Sequence, residues 1–228
     1  MMLVNSYNFA APSGSTDPNF ANVSLLLHMQ GSNGGTTFTD SSSNTFTVTP
    51  FGNAQTSTAQ YKWGSASGLF DGTGDYLTVP ANAAFNFGTG DFTIEWWYRY
   101  TSLSDYQYFF DIGSNGTALR ILNGNVLLGY AGGGVTVSAT ITTLSTGVWY
   151  HMAYVRSGST HTFYIDGVSK ASASYAGSAG SGTDALTIGN YGGGGAYSIN
   201  GYVQDFRVTK AVARDPAEMP APEQFPDS

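Results

Sequence analysis

The 228 residues contain no cysteine, which excludes disulfides and leaves stability to burial of apolar surface, worth roughly 25 cal/mol per Å². Charge is scarce too: 10% of the residues are Asp, Glu, Lys or Arg, and the net charge is −7. Eight scattered basic residues cannot displace the counterions of a phosphate backbone, so no nucleic-acid partner is expected. Long apolar runs are missing. The longest, around Val23 to Leu27, has a strand's length, far short of the about 20 residues of a bilayer-crossing helix, and no membrane insertion is expected. No pattern of period 3.6 persists beyond about three turns. The start, MMLVNSYNFAAPSGSTDPNF, has neither a basic segment nor a sustained apolar one, so no cleaved signal peptide is expected.

What remains is rich in Gly (30), Tyr (15) and Phe (14), the composition of short aromatic strands joined by tight turns. The chain is organised around GVWYHMAYVRSGSTHTFYIDG, residues 147 to 167. Alternation puts Trp149, His151, Ala153 and Val155 on one face and Tyr150, Met152, Tyr154 and Arg156 on the other. A strand apolar on both faces is central in its sheet, covered by a second sheet on one side and by loops or large side chains on the other. Ser157 to Thr160 supply a four-residue hairpin connection.

DFTIEWWYRY alternates likewise, with Phe92, Ile94, Trp96, Tyr98 and Tyr100 opposed to Thr93, Glu95, Trp97 and Arg99. VSLLLHMQG reads as a buried strand over 23 to 31 and TFTVTP as an alternating one, and Asn123-Gly124 is a strong hairpin signal. Strands recur at the spacing of an all-β, two-sheet antiparallel β-sandwich. Residues 1–21 read as an N-terminal arm or linker, 22–210 as the domain, and 211–228 as a tail packing on the sandwich or a neighbour. Prolines at 216, 220, 222 and 226 keep that tail out of strand interiors.

FDGTGDYLTVP, FNFGTGDFTIEWWYR, GVWYHMAYVRSGSTHTFYIDGV and GYVQDFRVTK resemble, in order, the signature strands of the concanavalin A-like, laminin G-like jelly rolls, over roughly residues 23 to 210. LLLHMQG and PEQFPDS are similar in particular to laminin G-like modules of bacteriophage virion proteins such as tail fibres. The resemblance implies a jelly-roll lectin-like module for binding or adhesion, often to carbohydrate. Its implied setting is a fibre, spike or decoration component of a virion assembled in the host cytoplasm. The partners expected are glycans, other virion subunits or, in a homo-oligomer, further copies of the chain. A purely structural decoration protein and a glycan hydrolase are the alternatives.

Hydrolysis needs paired carboxyl groups. The Glu-x-Asp-x-x-Glu pattern of related glucanases is absent, and the one Glu before the tail is Glu95, expected as a solvated carboxylate on a sheet face. No catalytic residue is assigned and no enzyme is expected. His28, His151 and His161 lack the spacing of a zinc site and read as packing residues, the last two as neighbours across the hairpin ladder. No cofactor is required. Calcium, bound at the rim in members of the wider fold, directs attention to Asp40 and Asp205, although Gln30 stands where phage relatives often carry Asp, and ordinary turn and strand-edge aspartates are the competing reading. The glycine run at 192–195 lacks the Lys-Ser/Thr of a phosphate loop. Flanked by Tyr191 and Tyr197, and joined by Tyr106, Tyr108 and Tyr130, it is the candidate ligand-binding surface, set against simple loop filling and subunit packing.

Overall fold

The computed structural model describes residues 16–103, 106–113, 116–192, 194, 197–215 and 223–228. The arm reading of residues 1–15 and the tail prolines 216, 220 and 222 lie outside them.

Two antiparallel sheets face each other. One runs Val168–Ser174, Thr160–Ile165, Trp149–Ser157, Phe92–Tyr100, Asn200–Lys210, Ser67–Asp71, Gln55–Ser57, and Val23–Leu27 pairs with the far end of the long Asn200–Lys210 strand. The other runs Gly134–Thr140, Val126–Ala131, Thr117–Leu122, Tyr106–Asp111, Leu186–Ile188, Tyr76–Val79, Thr49–Phe51. A two-stranded ribbon joins Ala179–Gly180 to Asn86–Gly88. This is the antiparallel jelly-roll sandwich that the strand spacing and the resemblance lead one to expect.

The parity of the central strands sets the core. Met152 and Tyr154 point between the sheets with Phe92, Ile94, Trp96, Tyr98 and Tyr100. Trp96 bridges the layers, its ring centroid 5.1 Å from Phe109, 5.7 Å from Phe110 and 5.9 Å from Phe206. Ala153 and Val155 pack on the opposite face with Tyr164 and Ala213. The Trp149–Ser157 strand is central, paired on both edges. Its turn is tighter than expected: Ser157 and Thr160 themselves pair, leaving Gly158 (φ 60°) and Ser159 as a two-residue connection.

Three other expectations need correction. The first strand stops at Leu27 rather than running to residue 31, because Met29 takes φ 61°. Of TFTVTP only Thr49 and Pro50 enter a strand, Thr49–Phe51. His151 and His161 are not neighbours: His151 pairs with Trp97 and touches Phe225 on the outer face, whereas His161 pairs with Arg156 and packs on Tyr154 and Phe92 inside.

Glu95 departs furthest. It is 1% exposed, not solvated, because the chain ends cross the outer face of its sheet. Arg207 donates to Glu95 Oε1 and to Asp17 Oδ2, Arg214 donates to both oxygens of Asp17, and His151 Nε2 lies 3.2 Å from Glu95 Oε2. Asp17 N–H in turn donates to the Ser228 carbonyl, and Phe225 lies under the Arg207 guanidinium at 3.8 Å. Further along the face, the amides of Gln30 and Gln204 hold the backbone of residues 62–66, setting Trp63 edge-on to Trp97 with Lys62 Nζ 4.0 Å from the Trp97 ring. This accounts for Gln30: an amide both donates to and accepts from main chain, which a carboxylate cannot do. With one sheet so covered, the outer face of the other is the open one.

Candidate functional site

On the open sheet, burial alternates residue by residue along Val126–Ala131, as a half-solvated sheet requires. In the Tyr106–Asp111 strand, on the far side of Thr117–Leu122, a bulge interrupts the alternation. Tyr108 pairs with Arg120 and Phe110 with Leu119, so the extra residue, Phe109, enters the core beside Phe110. Arg120 faces Tyr108 on one side and Leu128 on the other, and Tyr130 lies opposite Ala118. Tyr191 and Tyr197 arrive from the loop after Leu186–Ile188. That loop is pinned where Tyr108 N–H donates to the Tyr197 carbonyl at 3.0 Å, Gly192 N–H to Asp111 Oδ2 at 2.9 Å and Asn190 Nδ2 to Ser198 Oγ at 2.8 Å.

Of the five tyrosines singled out in the sequence, three surround one cation and the other two pack on those three. The Arg120 guanidinium carbon lies 4.7 Å from the Tyr106 ring, 5.3 Å from Tyr108 and 5.1 Å from Tyr130, and Nη1 donates to the Tyr108 hydroxyl at 2.8 Å. Tyr197 packs on Tyr106 and Tyr108 at 5.5 and 6.0 Å, and Tyr191 on Tyr108 at 4.9 Å. Tyr108 is the buried floor of the group, while Tyr191 and Tyr197 are 48% and 47% exposed.

Burial pushes the Tyr108 hydroxyl up to about 12 against the opposing charge and hydrogen bond of Arg120, and raises Tyr130 in the same way. Both phenols therefore stay protonated at neutral pH and present hydroxyls that donate as well as accept. Asp111 is raised to about 6, by burial first and by Asp184 in addition, against the hydrogen bond from Gly192. Arg120 itself was not among the sequence candidates. Its trace there is slight, a single charge between apolar neighbours in ALRIL.

Asp40 and Asp205 do not fit calcium, which takes six to eight oxygens. Asp40 is buried, and its carboxylate already accepts from Leu26 N, Ser42 N, Ser42 Oγ and Phe46 N, tying residues 40–46 to the first strand. Asp205, at φ 51° in a bulge, is held by His28 Nδ1 at 2.6 Å and Phe225 N at 3.2 Å. Hydrogens point at these oxygens where a cation would sit. Among the described residues no group of three or more His, Asp or Glu converges to hold a metal ion.

The laminin G-like family model described as the concanavalin A-like lectin/glucanases superfamily matches residues 71–218, more than half of the chain. No curated protein is significantly similar to it. Among solved structures, the binding domain of Paraclostridial Mosquitocidal Protein 1 superposes with a TM-score of 0.69 at 17% identity, over 87% of this chain and 51% of that one. The botulinum neurotoxin serotype D binding domain gives 0.66 at 14% identity, over 89% and 51%. A structure of botulinum neurotoxin type C, whose cell entry depends on interaction with two ganglioside molecules, gives 0.60 at 14%, over 88% and 50%. The chain spans about half the length of each of these. With its two-sheet jelly roll and its matching strands, the chain belongs to the laminin G-like members of the concanavalin A-like lectin/glucanases superfamily.

Proposed function

We propose that this domain is a non-catalytic carbohydrate-binding or adhesion module whose ligand surface is the tyrosine face around Arg120, and that it serves in a phage virion as a fibre, spike or decoration component. The observation that carries the binding role is the convergence of Tyr106, Tyr108, Tyr130, Tyr191 and Tyr197 on one open sheet face. Aromatic rings with a protonated hydroxyl offer a sugar both an apolar surface and hydrogen bonds. The ganglioside dependence of one neighbour's cell entry supports a glycan ligand. The virion setting rests on LLLHMQG and PEQFPDS. A glycan array with the wild type and the Tyr191→Ala/Tyr197→Ala pair tests the binding role. Glycan retention that the double variant loses at least tenfold, at an unchanged unfolding midpoint, supports it. Absence of retention on every glycan, with the domain still attached to particles, overturns it in favour of a scaffold.

A second reading, glycan hydrolysis, draws on Asp111, buried near the tyrosines with its raised pKa in the field of Asp184. It requires that the wild type shorten an oligosaccharide and that Asp111→Asn abolish the cleavage. Retention without shortening overturns it.

A further inference from the structure

We propose that the ligand of the tyrosine face is acidic, a sugar whose carboxylate seats on Arg120. This inference rests on the carbohydrate-binding reading and adds the ligand's charge and its anchoring residue. The half-buried Arg99 lies over the Tyr202 ring, while the two buried arginines and the half-buried Arg214 are engaged: Arg207 and Arg214 on carboxylates, Arg156 on the carbonyls of Gly88, Gly158 and Gly177. Arg120 is not. Among the described residues no carboxylate lies within 4 Å of it, its hydrogen bonding is to neutral phenols, foremost Tyr108, and its Nε is buried without a partner. Three tyrosine rings disperse the charge, but they bring no negative charge to its N–H groups.

The buried Nε lies out of a ligand's reach, but Nη2 is not buried and has no bonded partner among the described residues, so the Nη edge is the one a ligand can meet. A carboxylate is the group whose two oxygens match the planar N–H fork. The exposed rings of Tyr191 and Tyr197 pack on Tyr108 and Tyr106, which line the cation, and supply the apolar contact that a pyranose carrying such a carboxylate needs. Asp111, which holds the Tyr191–Gly192 loop and ionises at about 6, adds a negative charge to the same face. The surface therefore favours a monoanion over a phosphate dianion.

The test is an array of sialylated and uronic-acid oligosaccharides, each beside its methyl ester, probed with the full chain and with Arg120→Gln and Arg120→Lys. At least tenfold tighter retention of the acids, weakened by salt, is expected for the wild type. Arg120→Gln should level acid and ester, and Arg120→Lys should fall between, retaining charge without the fork. Equal retention of acids and esters by the wild type overturns the acidic ligand while leaving the carbohydrate-binding reading intact. Retention of neither class overturns the acidic ligand, and overturns the carbohydrate-binding reading as well when neutral glycans on the same array are not retained either. A preference that survives in folded Arg120→Gln removes Arg120 as its source, and Arg120→Lys keeps that conclusion available if the Gln variant does not fold. Tighter retention of sulfated counterparts than of carboxylates overturns the choice of anion.

Discussion

Arg207 donates twice to one oxygen of Glu95, from Nε at 3.0 Å and from Nη2 at 2.8 Å, inside the sheet face that the two chain ends cover. Burial alone would raise this carboxyl, but the charge of Arg207, the hydrogen bond from His151 and the charge of Arg214 outweigh it and hold Glu95 at about 2. Removing one partner of a buried pair leaves the other uncompensated, a loss of about 3–5 kcal/mol. Glu95→Gln should therefore lower stability by that amount in urea titrations. Glycan retention should persist wherever the variant is folded, because Arg120 and its tyrosines lie on the other sheet.

The same clasp gives stability a dependence on pH with two opposite limbs. Glu95 has a folded pKa below its unfolded value, so its contribution is present above about 4.5 and is lost as pH falls toward about 2. His28 behaves oppositely. Burial alone would lower it, but its ring nitrogens face Asp205 Oδ1 at 2.6 Å and Asp227 Oδ1 at 2.5 Å, and these carboxylates raise it. Its contribution is full below 6.5 and disappears as pH rises through the elevated folded value. Thermal midpoints of the wild type minus those of His28→Gln should shrink as pH climbs past 6.5. A difference that is flat from pH 6 to 9 would show that the histidine is not held as the cation.

Alternation made the core legible. Five inward residues of Phe92–Tyr100 follow from parity alone, and Asn123-Gly124 marks a hairpin because both residues take positive φ, 50° and 68°. Parity fails where a bulge inserts a residue, as at Phe109 and at Asp205, since nothing local announces the shift. Glu95 looked solvated because the arginine that neutralises it is 112 positions away. The tyrosines could be singled out by type and by their glycine-rich surroundings. Arg120 could not, because its role depends on the register of three strands and the path of one loop.

Asp40 illustrates how an aspartate in a turn serves without metal. Its two oxygens take four hydrogen bonds, three of them from main-chain N–H groups at 2.9–3.0 Å. Hydrogen bonds to a charged acceptor are worth about 1.5–3 kcal/mol each when net effects are counted, and they are not additive. Asp40→Ala should cost at least about 2 kcal/mol in a denaturant titration. Addition of millimolar calcium, or of a chelator, should leave the wild-type midpoint unchanged, and a calcium-dependent rise lost in Asp40→Ala would restore the metal reading.

Asp111 couples the tyrosine loop to pH. Its carboxyl is 4% exposed and accepts from Gly192 N–H, yet burial first and Asp184 next lift it to about 6. A group raised in the folded state stabilises fully below its unfolded value and loses that contribution as pH rises through the folded one, so Asp111 works against the fold above about 6. Asparagine keeps an oxygen to accept from Gly192 and removes the charge. Asp111→Asn should therefore match the wild type near pH 4 and exceed its thermal midpoint at pH 7 to 8. The variant should also retain acidic sugars more tightly at pH 7 to 8, where the wild type sets a second negative charge against the ligand, and the two proteins should converge below pH 6. A variant that is less stable than the wild type at pH 8 would mean that the ionised carboxylate is needed to hold the loop, and that its hydrogen bond outweighs the burial of its charge.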